Sequence, residues 1–340
     1  MPIGLIEGFD YYPDEPYAQG IGVASTWIGG LTSPNAKLGP GRFEGRSFAF
    51  ESRGGIYSYA TKQVQTTTKC ALGFAFRTAN LNVNAGGKRF MHLASPDDST
   101  PKAVQFFMNN VGQIALQVNG LVVGRSTRLA LENTWHYYEI EVDLDLKTLK
   151  FWLDGELQFA LQDVGYPIPT IGRIVITTDD AIPSTIWFWD DLYYVYNEAR
   201  SLGESRIQLA EALSNADVAW TPLAGQNFER IDDASVDSDA SYNATNTVGA
   251  KDLFNFTDIT VNPDTIHAVG IVYAARKEDS GTRTVQSYME SGATPAEGFK
   301  QNMTTDYIWT RDIFNLDPNG DVPWTKARVN ALKIGYRLVL

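Results

Sequence analysis

Short runs in which apolar and polar residues alternate, rather than stripes at helical spacing, organise this chain. Residues 74–78, 103–109, 113–118, 121–123, 135–146, 150–153, 157–162, 173–178 and 185–196 all read as strands. Turn signals separate several of them, including Asn109-Asn110-Val111-Gly112, Val118-Asn119-Gly120-Leu121 and Leu153-Asp154-Gly155-Glu156. Asn-Gly and Asp-Gly pairs accept the left-handed backbone that a tight hairpin demands. Many short antiparallel strands at regular spacing predict an all-β fold, a sandwich or jelly roll rather than a parallel α/β sheet.

The pattern pauses at 197–205, a polar stretch with one glycine and no strand signal, which marks a seam. Domains are therefore expected at residues 1–197 and 198–340, the second a smaller β-sandwich. Beyond the seam, 206–213 reads as a strand or one to two helical turns. Residues 229–247 form an acidic loop rich in Asp, Ser and Asn, with room for one short strand. Residues 266–276 are apolar on both faces, as in a strand in the middle of a sandwich. Glu278-Asp279-Ser280-Gly281 supplies a turn, with Gly281 able to take positive φ, so that 282–290 returns as the second arm of a hairpin. A short helix is expected at 325–332 and a terminal strand at 333–340.

Bulk properties narrow the function classes. The 340 residues are 44% hydrophobic and 12% aromatic, which excludes a disordered chain. A formal net charge of −12 without clustered Lys and Arg argues against nucleic acid as a partner. The single cysteine, Cys70, rules out an intrachain disulfide, and three histidines leave little for a His-rich metal site. No signal peptide and no membrane-spanning run are expected, and no cofactor is implied.

Two sets of motifs carry resemblances. The first is GRFEGRSFAF at 41–50, the hairpin at 119–123, ENTWHYYEIEV at 132–142, LKFWLDGELQFA at 149–160 and IWFWDDLYYVY at 186–196. Their order resembles a concanavalin-like, laminin-G-type jelly roll, which implies that fold for the first domain. The second is KDLF at 251–254, IHAV at 266–269, ARKEDSGTRT at 275–284 and a closing WTKARVNALKIGYRLVL at 324–340. These resemble virion structural proteins of tailed bacteriophages. The resemblance implies a non-enzymatic component of the particle, tail-associated as fibre, collar or adaptor. It also implies docking to other virion proteins and to copies of itself as a homo-oligomer. Such a protein resides in the virion after assembly in the bacterial host cytoplasm.

Candidate chemistry lies in three places. Glu139, Glu141, Asp143 and Asp145 share one face of a strand. Jelly-roll glycosidases carry a comparable acidic strand, so Glu139 with Asp143 or Asp145 is the candidate hydrolase pair. The pattern is common in antiparallel sheets, however, and the expected reading is the solvent-facing side of an outer strand, with the aliphatics packed inward. Asp237-Ser238-Asp239-Ala240-Ser241 spaces its oxygens like the start of a calcium loop but lacks the glycine and distal glutamate of the full motif. Trp135, Tyr137, Trp152, Trp187, Trp189 and Tyr194 are candidate interface or glycan-stacking residues, the latter on a host surface glycan. Aromatics occur at both parities of 135–138 and 187–196, so one parity is expected in the core and the other against a neighbour. Arg276, Arg283 and Arg311 are candidate ion-pair partners at the assembly interfaces, which are expected to include the acidic loop.

Overall fold

The computed structural model describes residues 1–13, 26–27, 36–51, 58–81, 87–97, 101–178, 185–233 and 236–340. Two compact units emerge, one of Met1–Phe9 with Thr26–Ile207, the other of Asp10–Ser25 with Gln208–Leu340. The division falls at Ile207 rather than at residue 197, because the connecting stretch is bound to the first unit. Residues near the N-terminus group with the second.

The first unit contains β1 (Ile3–Glu7), β2 (Ala36–Pro40), β3 (Arg46–Glu51), β4 (Ser58–Thr67), β5 (Lys69–Thr78), β6 (Lys88–Ala94) and β7 (Val104–Met108). It continues with β8 (Gln113–Val118), β9 (Leu121–Leu129), β10 (His136–Asp143), β11 (Thr148–Leu153), β12 (Glu156–Leu161), β13 (Ile171–Thr178) and β14 (Ile186–Tyr196). They form two antiparallel sheets. The eight-stranded sheet runs β12-β11-β10-β5-β14-β3-β2, with β1 also on β14; the six-stranded sheet runs β4-β13-β6-β7-β8-β9. Asn119-Gly120 and Asp154-Gly155 both take positive φ, and each closes a hairpin as its sequence requires.

Alternation assembles the core. Cys70, Leu72, Phe74 and Phe76 of β5 point inward with Tyr138, Ile140 and Val142 of β10, all of them buried. Across the sandwich they meet Phe90 and Phe106, with ring centroids 4.4 Å apart for Phe76–Phe90 and 5.5 Å for Phe74–Phe106. Between Lys69 and Arg77 the opposite face of β5 carries only Ala71, Gly73 and Ala75. That shallow strip leaves room for side chains from neighbouring strands.

The second unit contains β15 (Ala212–Val218), β16 (Thr221–Pro222), β17 (Asn243–Ala244), β18 (Lys251–Phe256), β19 (Val269–Ala275) and β20 (Thr284–Ser291). β21 (Thr294–Glu297), β22 (Gln301–Asn302), β23 (Ile308–Phe314) and β24 (Lys333–Leu338) complete it. The expected hairpin between 266–276 and 282–290 is not formed. β19 pairs along its length with β23, from Val269↔Phe314 to Ala275↔Ile308, while β20 pairs with β24 and β21. Gly281 does not adopt positive φ; the 276–283 segment is held by Asp279–Arg283 and by Lys277 donating to the Gly281 carbonyl. β19 is also not a central strand. It belongs to a two-stranded ribbon, and only Ile271 in it is buried. The C-terminal strand takes the interior position instead, between β18 and β20. The short helix is present at Lys326–Asn330, with the Thr325 side chain accepting from the Arg328 N–H as its cap.

Candidate functional site

The acidic strand lies on the outer face of the eight-stranded sheet, beneath the connecting stretch that follows β14. The Glu139 Oε1 atom accepts from the Tyr193 hydroxyl at 2.6 Å and from the Gly203 N–H at 2.8 Å. Glu141 accepts from the Ser201 N–H and hydroxyl at 2.9 and 3.2 Å, and pairs with Lys150 at 2.9 Å. Asp143 accepts from the Leu146 N–H and lies 3.2 Å from Lys69. These three residues are 3%, 8% and 5% exposed, so the expectation of a solvent-facing acidic surface is overturned. The cause is local: connector N–H groups without a sheet partner find carboxylate acceptors. Asp145 alone of the four remains at the surface, bonded to Thr68.

Burial pushes the Glu139 carboxyl above the usual range, against the lowering effect of the Tyr193 and Gly203 bonds. Asp191 is likewise raised by burial, although the Ile207 N–H and Arg42 oppose it. Arg42 ties the same region together. Its N–H donates to Asp190, its guanidinium reaches Asp191, Glu204 and the Ser205 carbonyl, and it lies over the Tyr137 ring. The lone pairs of the buried acids are thus directed at the protein's own chain, and the face forms a clamp rather than an open cleft.

Two features missed in the sequence build this clamp. A β-bulge in β14 shifts the register between Asp190 and Tyr193, with Asp191 at φ 47°. Gly73 lies under the Tyr193 ring, where an added Cβ would sit 2.1 Å from its Cε1. An apolar run broken by a lone glycine and a paired Asp-Asp in an aromatic strand were the available signals.

The six aromatic candidates separate by position. Trp187, Trp189 and Tyr194 are in the core and have no face to offer a ligand or partner. The bulge explains why both parities are buried: Trp187 and Trp189 point inward before it, Leu192 and Tyr194 after it. Tyr137 is buried on the outer face under Arg42, its hydroxyl donating to the Asp191 carbonyl. Trp135 and Trp152 are half-buried on that face, beside Arg77 and Lys150 respectively.

In the second unit the acidic loop binds its own chain. Asp237 accepts from Ser241, and Asp239 pairs with Arg276 at 3.0 Å and accepts from the Tyr307 hydroxyl at 2.8 Å. Arg283 pairs with Asp279, and Arg311 donates to Tyr11. Among the described residues no group of three or more His, Cys, Asp or Glu is placed to hold a metal ion. A cavity of about 800 Å³ in this unit is walled by Trp220, Asn243, Tyr273, Tyr307 and Tyr336. Nothing in the sequence pattern had singled it out. His136 accepts from the Leu131 N–H through Nε2 and bonds Asp154 through Nδ1, and the buried Cys70 thiol is pushed far up by desolvation.

No family model matches the chain, and no curated protein matches it. Among solved structures, a sialidase aligns at 11% identity over 58% of this chain with a TM-score of 0.39, and the alignment spans about a fifth (19%) of that protein. The endo-β-1,4-glucuronan lyase of Trichoderma reesei aligns at 10% identity over 50% of this chain and 91% of its own, with a TM-score of 0.39. The β-glucanase of Bacillus licheniformis aligns at 13% identity over 57% and 98%, with a TM-score of 0.37. None of the three assigns a role to a residue of this chain.

Proposed function

We propose that this chain is a non-catalytic assembly and binding protein of a tailed-bacteriophage particle, tail-associated and present in more than one copy. The observation that carries its non-catalytic character is the closed acidic face. Hydrolysis of a glycosidic bond needs two carboxylates with free access to the substrate and to water. Glu139 and Glu141 instead hold the connector, and Asp143 holds the turn that follows it. The virion assignment is supported by the motifs of the second unit, KDLF, ARKEDSGTRT and the closing strand, whose likeness is to virion proteins. Probing purified particles for this chain by mass spectrometry tests it. Stoichiometric presence is expected; absence from intact particles refutes the assignment.

A second reading is glycan recognition by the first unit. It rests on Trp135 and Trp152, aromatic side chains of the outer face that are still partly exposed. A glycan array on the full chain separates the two readings, since an assembly protein alone retains no sugar.

A further inference from the structure

Among the described residues, the connector and Arg42 cover the outer face of the eight-stranded sheet around Tyr137, Glu139, Glu141 and Asp191, but not the row made by Trp135, Arg77 and Phe188. Arg77 faces outward because Phe76 beside it faces the core. Its guanidinium carbon lies 4.1 Å from the centroid of the Phe188 ring and 5.2 Å from that of Trp135. Two rings thus fix the position of a flexible cation.

Arg77 is held between rings without a counter-ion among the described residues. Arg42, Arg128 and Arg206 each meet a carboxylate, whereas no acid among the described residues pairs with Arg77. Its Nε is buried with no hydrogen-bond partner. In a chain with 40 acidic and 28 basic residues, a fixed cation left without an acid is unexpected. Among the described residues, nearby acids have other partners: Asp190 accepts from the Arg42 N–H, Asp154 pairs with His136 and Arg128, and Glu139 accepts from Tyr193 and Gly203. Partial burial also lowers the Arg77 pKa, a sign that its charge is incompletely solvated.

We propose that Arg77 and Trp135 form a binding site for an acidic saccharide, Arg77 taking the carboxylate of a uronate-type sugar and Trp135 the apolar face of its ring. The planar guanidinium matches a carboxylate in a two-pronged contact. The half-buried indole beside it offers a surface for a sugar ring, which the side chain of an acidic peptide would leave uncovered. A single fixed cation suits one carboxylate; a polyanion such as nucleic acid would meet the net negative charge of the whole chain. The site is independent of whether the protein belongs to a virion.

Calorimetric titration of the full chain with trigalacturonate, with maltotriose as the neutral match and tetraglutamate as the peptide match, tests the proposal. Trigalacturonate is expected to bind at least ~10-fold more tightly than either comparison ligand, and to weaken as salt rises. Arg77→Gln is expected to reduce that binding about 10-fold or more, Arg77→Lys to lose part of it, and Trp135→Ala to weaken it several-fold, with circular dichroism unchanged. Failure of the native chain to bind trigalacturonate at ~10 mM would overturn the proposal. So would equal binding of maltotriose, unchanged binding by Arg77→Gln, or tetraglutamate binding as tightly, which would assign the site to protein carboxylates.

Discussion

At Glu139, burial and hydrogen bonding pull the carboxyl in opposite directions, and burial prevails. A carboxyl whose folded-state pKa is raised contributes its full stability below the unfolded value of about 4.3 and loses it as pH rises through the folded value. Glu139→Gln keeps an acceptor for Tyr193 and Gly203 while removing the charge. It should therefore raise the melting temperature at pH 7 and raise it less at pH 4. Thermal melts at the two pH values check this, and equal shifts at both would contradict it. The aromatic candidates give a second test at the same scale. Trp187 is fully buried, so Trp187→Ala should cost about 3–5 kcal/mol, whereas Trp135→Ala should cost about 1 kcal/mol. Urea denaturation of the two variants distinguishes them.

At the scale of elements, β5 and β14 show which parts of the fold were legible. The expected strands at 74–78 and 185–196 correspond to the second half of β5 and to β14, and β8 has the boundaries its pattern predicts. The bulge in β14 was not legible, because a one-residue insertion reverses which parity faces inward without altering composition. Trp187, Trp189 and Tyr194 therefore share the core face despite differing in parity, while Phe188 and Tyr193 lie on the outer one. The second unit was less readable for a related reason. Strands adjacent in sequence invite a hairpin, yet β19 and β20 take partners farther along the chain, and nothing local encodes that choice. The clamp was hidden similarly, since covering the acidic strand depends on a segment more than 50 residues away in sequence. Gly73 links these elements. Gly73→Ala would displace the Tyr193 ring and with it a bond to Glu139, at a cost of about 1–3 kcal/mol measurable by urea denaturation.

For the whole molecule, the two units differ in how they are closed. The first has a dense aromatic core between two sheets. The second has smaller apolar clusters, one around Met289 and Trp324 and another around Val285 and Met303. The terminal strand β24 sits inside its main sheet, so removal of residues 333–340 should abolish the cooperative unfolding of this unit while leaving that of the first. Calorimetry on the shortened chain reads both transitions. A comparison of chains ending at 197 and at 207 examines the clamp. The longer should melt higher, by roughly 2–4 °C for each kcal/mol of net clamp stabilisation.

The connector is bound to the acidic strand through Ser201, Gly203 and Ile207, so it belongs to the first unit in structure although its composition resembles a linker. A module boundary drawn from composition would cut through it. Any chimaera that replaces the second unit must therefore retain residues 198–207 with the sandwich before them, or it will strip the cover from buried acids. The transferable piece of this protein extends about ten residues past its last strand, a distance set by where the final backbone N–H finds its carboxylate, Ile207 on Asp191.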